Sequence, residues 1–174
     1  MRRGSLSFAA AVAGALLAPA AARAQVSDLA VKAAFLPKFA RYVTWPASAL
    51  AHDGQMVLCI IGDDPFGDML NQSVAGQQVD GRGFIVRRLS SAAGASDCAI
   101  AFVDGPRTAE FLAALAHSPV LTVTDSRSSA QHGIIHFAIV GGRVRFYIDE
   151  AQAQARGLTI SSRLLALAIR VNLR

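Results

Sequence analysis

The chain has 174 residues, 53% of them hydrophobic and 17% charged, with two cysteines and a formal charge of +5. So apolar and weakly charged a composition excludes a disordered chain, which would be poor in apolar residues and rich in net charge. The positive excess belongs largely to the N-terminus. Met1-Arg2-Arg3 is a basic start, Gly4 to Ala22 carries no charge, and Ala22-Arg23-Ala24 places small residues at −3 and −1. This pattern predicts a secretory signal peptide over residues 1–24, cut before Gln25. An uncleaved anchor is the rival reading, since the uncharged stretch is just long enough to span a bilayer; weakly apolar alanine and the good cleavage pattern favour removal. Three arginines leave with it, so 14 basic residues face 12 acidic ones, a balance that gives no support to nucleic-acid binding. Residues 25–174 are one domain's worth of chain.

Val26 to Thr44 reads as a helix, with Val31, Phe35, Phe39 and Tyr42 on one stripe and Ser27 or Asp28 as N-cap. Pro37 should kink or split it, and Trp45-Pro46 marks its exit. Met56 to Ile61 is a continuous apolar run that suits a strand covered on both faces. Asp64-Pro65 reads as the cap and first residue of a short helix through Leu70. Strands are expected at Gly83 to Leu89, Cys98 to Val103 and Pro119 to Thr124, with a helix from Arg107 to His117 between the last two. Gly141-Gly142 joins the β-rich runs Ile134 to Val140 and Arg143 to Ile148 as a hairpin. A last helix, capped by Thr159 or Ser161, would present Ile160, Leu164, Leu167, Ala168 and Val171 as its core face. The alternation predicts an α/β three-layer sandwich, mostly parallel, with a C-terminal antiparallel hairpin and a closing helix.

Cys59 and Cys98 fall in the first and third long strands. An even cysteine count in an exported domain favours a disulfide, while two buried thiols packed as small apolar groups are the alternative. Asp63, Asp64, Asp104 and Asp125-Ser126 follow strand ends, on the rim where parallel sheets place ligands. They resemble a phospho-accepting acid cluster only faintly, because Lys32 and Lys38, the only lysines, both lie in the first helix; capping and turn formation account for the acids. His132 and His136 have the metal spacing of a helix but sit in a strand, where four residues span about 13 Å, so they are not expected to share a metal. No nucleophile elbow and no phosphate-cradling glycine motif occurs, and no enzyme, cofactor or metal is expected. Arg143 and Arg145 alternate with Val144 and Phe146 and therefore share one face of the hairpin.

Three segments resemble the YfiR/HmsC-like family: Val31-Lys32-Ala33-Ala34-Phe35 with Phe39 and Tyr42-Val43-Thr44-Trp45-Pro46; Cys59 to Gly67; and Val144 to Asp149 with Gly157-Leu158-Thr159-Ile160-Ser161-Ser162-Arg163-Leu164-Leu165. The resemblance implies a periplasmic α/β domain, often dimeric. Such a domain binds the periplasmic region of an inner-membrane diguanylate cyclase, represses it, and so lowers cyclic di-GMP and biofilm output. It further implies an outer-membrane lipoprotein that can sequester the repressor, and a disulfide between Cys59 and Cys98. A second cysteine pair found around the hairpin in some members is missing, and Asp149 stands where Asn is commoner. Ile139, Arg145, Gly157 and Arg163 are the expected partner- or ligand-binding residues. A periplasmic small-ligand sensor is the alternative function.

Overall fold

The computed structural model describes residues 20–50 and 54–173, so most of the expected signal peptide lies outside the described residues. Helix α1 (Ala20–Phe39) leads through a tight 3-10 turn to β1 (Val43–Thr44). Then come β2 (Gln55–Gly62), α2 (Asp68–Val74), β3 (Gln78–Val79), β4 (Arg82–Leu89), β5 (Ile100–Asp104), α3 (Thr108–Ala114) and β6 (Leu121–Asp125). The hairpin β7 (Ile135–Val140) and β8 (Arg143–Asp149) is followed by α4 (Glu150–Ala155), β9 (Thr159–Ile160), α5 (Ser162–Leu165) and β10 (Val171–Asn172). One eight-stranded sheet has the order β10-β8-β7-β6-β5-β2-β4-β3, and β1 pairs with β9 in a separate ribbon. β4, β2, β5, β6 and β7 are parallel neighbours, while β8 turns back antiparallel on β7.

The apolar strands are covered on both faces, as their composition demands. On the first face Met56, Leu58, Ile60, Phe102, Val123, Phe137 and Phe146 pack under α1 and α2. Phe35 and Phe39 of α1 meet Phe137 and Phe146 of the hairpin with ring centroids 5.4–6.2 Å apart. On the second face Val57, Cys59, Ile61, Ala101 and Val103 pack under Phe111 and Leu115, at and just beyond α3. The Cys59–Cys98 disulfide forms there, with the Cα atoms 5.9 Å apart. The fold class is the one the alternation predicts.

Several local expectations are corrected. Helix α1 begins at Ala20, so Ser27 and Asp28 lie inside it, and Asp28 pairs with Arg127 at 2.6 Å instead of capping. Its buried face is Lys32, Ala33, Leu36, Phe39 and Ala40, whereas Val31 is exposed. Pro37 leaves the Ala33 carbonyl without its intrahelical donor, and the Ser73 hydroxyl of α2 lies 3.0 Å from it and 2.8 Å from Leu70 O, sharing its one proton between the two carbonyls. The helix therefore runs on through Pro37 to Phe39. Ser73→Ala is expected to cost about 1–2 kcal/mol in urea unfolding, because the carbonyl would be left without a partner; a change indistinguishable from zero would refute this role.

Asp64 closes an Asx turn onto the N–H groups of Phe66 and Gly67 and the helix starts only at Asp68. Sequence reading missed α4, whose N-cap is the Asp149 carboxylate accepting from Gln152 N–H at 2.8 Å. The expected closing helix is a single turn. Beyond Leu165 the chain finds better partners on β8: Ile169 N–H donates to Phe146 O and Ile148 N–H to Arg170 O, and β10 forms. Leu167, expected in the core, is exposed.

Candidate functional site

The four residues expected to bind a partner fall into two groups. Ile139 and Arg145 lie on the hairpin, which extends β7 past Asp125, the last residue of β6, paired with Phe137. Phe146 and Ile148 point into the core, so the pleat turns Arg143, Arg145, Tyr147 and Asp149 to the other face. Arg145 is exposed opposite Ala138, while half-buried Ile139 lies opposite Val144 on the reverse side. Gly157 and Arg163 belong to the segment running from α4 to α5, whose strand β9 pairs with β1. There the Trp45 indole donates to Ala99 O, just before β5, at 3.1 Å.

Gly157 has φ +73°, and a Cβ on it would come within 3.0 Å of Pro46 Cγ. It thus permits both a left-handed turn and close approach to the Trp45-Pro46 exit of the first helix. Arg163 is exposed on α5, which the Ser161 hydroxyl caps and buried Leu164 anchors. Its guanidinium makes no hydrogen bond or ion pair among the described residues. Gly157 and Arg163 thus lie on one segment, and Ile139 and Arg145 on opposite faces of the hairpin.

Of the four acids at the strand ends, Asp63 is exposed and the carboxylates of the other three have partners. Asp64 pairs with Arg88 at 2.7 Å, and the Asp104 carboxylate accepts its neighbour Gly105 N–H at 2.7 Å. Asp125 meets a partner that sequence reading placed elsewhere: Lys32, fully buried on α1, donates to Asp125 Oδ2 across 93 residues of sequence. The signal for it was a lysine on the same stripe as Leu36 and Phe39. Among the described residues no group of three or more His, Cys, Asp or Glu side chains is placed to hold a metal ion.

His132 and His136 stack face to face with ring centroids 3.7 Å apart, far closer than the strand spacing predicts. β7 begins only at Ile135, and the chain bends at Gly133, which lies against β6 so closely that a Cβ would meet Thr122 O at 2.8 Å. Burial, reinforced by the charges of His132 and Lys32 and opposed by Asp125, lowers the His136 pKa to about 4, so the ring is neutral at physiological pH. Nearby, Arg156 is buried against Val120 O and Thr122 Oγ1, and Nη2 donates to Gln152 Oε1 at 2.5 Å. Desolvation lowers its pKa, with Asp149 opposing the shift.

The fold and site define a small α/β binding domain. Its exposed arginines stand on the hairpin and on α5. Residues 29–169 match the YfiR/HmsC-like family, and the chain belongs to that family. Members are regulatory and non-catalytic, act in the periplasm in cyclic di-GMP signalling, and membership implies interaction with a membrane diguanylate cyclase. No curated protein matches the chain. Among the described residues no helix is long and apolar enough to cross a membrane.

Proposed function

We propose that this protein is exported by the signal peptide of residues 1–24 and that residues 25–174 act as a single domain. That domain binds the periplasmic region of an inner-membrane diguanylate cyclase and holds it inactive, lowering cyclic di-GMP and biofilm formation. A homodimer is the expected binding form, and an outer-membrane lipoprotein that captures it would relieve repression.

The observation that carries this reading is the pair of exposed arginines without a side-chain partner among the described residues, Arg145 on the hairpin and Arg163 on α5, each beside a buried anchor, Phe146 and Leu164. Cations on well-packed elements are suited to anchoring a protein interface. Repression needs only a difference in affinity between two cyclase states. Moving a 10:1 equilibrium to 1:10 takes about 2.7 kcal/mol, which one or two interface anchors supply.

Both positions are solvent-exposed, so charge reversal should spare the fold. Arg163→Glu, and separately Arg145→Glu, is expected to raise cellular cyclic di-GMP severalfold at unchanged protein abundance. Levels that stay at the wild-type value for both variants would overturn the assignment of these residues.

A further inference from the structure

The second face of the sheet is covered by α3 only over β2 and β5. Beyond β6 it opens into a cleft of about 540 Å³, whose walls include Ser126, His132, His136, Tyr147, Arg170 and Asn172. We propose that this cleft binds a small organic carboxylate with a planar body, the carboxylate held by His136 Nε2–H and Arg170 and the body lying along the His132–Tyr147 wall. The proposal does not depend on the repression reading, although the cleft adjoins Arg145, which lies opposite the cleft-lining Ala138.

The hydrogen-bond network sets the donor. Thr124 Oγ1 accepts Gly133 N–H at 2.9 Å and lies 2.7 Å from His136 Nδ1. No other acceptor takes the Thr124 hydroxyl proton, so it goes to Nδ1, and the neutral ring carries its own proton on Nε2. Nε2 has no hydrogen-bond partner among the described residues. The sole buried unpartnered side-chain atom among the described residues is Arg156 Nε, so Nε2 is open to the cleft that His136 lines.

The charge balance sets the sign. Asp149 is occupied at both oxygens, by Gln152 N–H at 2.8 Å and Asn172 Nδ2–H at 3.0 Å. Asp125, one residue before Ser126, is likewise taken by Lys32 and by Arg127 N–H at 3.1 Å. Arg170 is exposed with no side-chain partner among the described residues, and the Ser126 hydroxyl is unengaged. Asp149 also lines the cleft and keeps its charge when bonded to neutral N–H groups, but the buried Arg156, whose pKa shift it opposes, offsets it. Among the described residues that line the cleft, Arg170 is then the cation left to meet a single negative charge rather than a phosphate dianion. The rings of His132, His136 and Tyr147 are tilted by only 12–31° from one another, with centroids 3.7–6.4 Å apart. The two imidazoles lie one on the other with Tyr147 beside the pair, an aromatic cluster against which a planar body packs.

Calorimetric titration of the purified protein with benzoate, benzyl alcohol and inorganic phosphate tests this. Benzoate is expected to bind at least about tenfold more tightly than either comparator, the gain of one charge-assisted contact. Arg170→Gln, at an exposed position, and His136→Gln should each weaken benzoate binding about tenfold while circular dichroism stays unchanged. Equal binding of benzoate and benzyl alcohol overturns the carboxylate site, as does tighter binding of phosphate. No saturable benzoate binding, or wild-type affinity in Arg170→Gln, does so as well.

Discussion

Lys32→Met is expected to destabilise the domain by about 3–5 kcal/mol in urea unfolding at neutral pH, the cost of leaving one buried partner of an ion pair uncompensated. Lys32 is 0% exposed and Asp125 4%, so solvent cannot replace the lost charge. Asp125 would retain only the Arg127 N–H on its other oxygen. The double variant Lys32→Met with Asp125→Asn removes both charges and should recover more than half of the loss, because a neutral amide is far less costly to bury than a lone carboxylate. A single-variant loss below about 1 kcal/mol would mean that the pair does not clamp α1 to the end of β6. The Lys-Ala-Ala-Phe opening that carries part of the family resemblance is thus, in this chain, a structural clamp. Its lysine ties the first helix to the sheet and its phenylalanine joins the hairpin aromatics.

Replacing both cysteines, Cys59→Ala with Cys98→Ala, should lower stability by about 3–4 kcal/mol, the chain-entropy cost for a bridge that spans 39 residues. The bridge joins the middle of β2 to the chain entering β5. Its two cysteines are 0% and 2% exposed under Ile85, Leu112 and Phe111. Reductant added to the folded protein should therefore leave the bridge intact for far longer than reductant added in denaturant. Rapid reduction of the native protein, or an unfolding midpoint unmoved in the double variant, would count against a structural role.

Much of the architecture was readable because it depends on local pattern. Continuous apolar runs such as Met56 to Ile61 belong to strands buried on both faces, and Gly141-Gly142 between β-rich runs is a hairpin wherever it occurs. What sequence reading misjudged has one common cause. Where the final helix ends depends on β8 offering free backbone groups to Ile169 and Arg170. Pro37 is accommodated because Ser73, on another helix, donates to the carbonyl it frees. Neither partner is close in sequence.

The candidate sites divide in the same way. The family, the disulfide partners and the exposed arginines of hairpin and α5 were legible from residue types and short motifs. The Lys32–Asp125 pair and the stacked histidines were not. Spacing rules assume regular backbone, whereas Gly133 bends the chain against β6 and brings His132 over His136.

The order of apolar and turn residues thus determined by itself the α/β class, the hairpin and the family, because those follow from periodicity over a few residues. Tertiary structure alone decided which charges are buried together and which half of the sheet stays open. Those depend on contacts between segments far apart in the chain, 93 residues for Lys32 and Asp125, whose energies exceed any local preference.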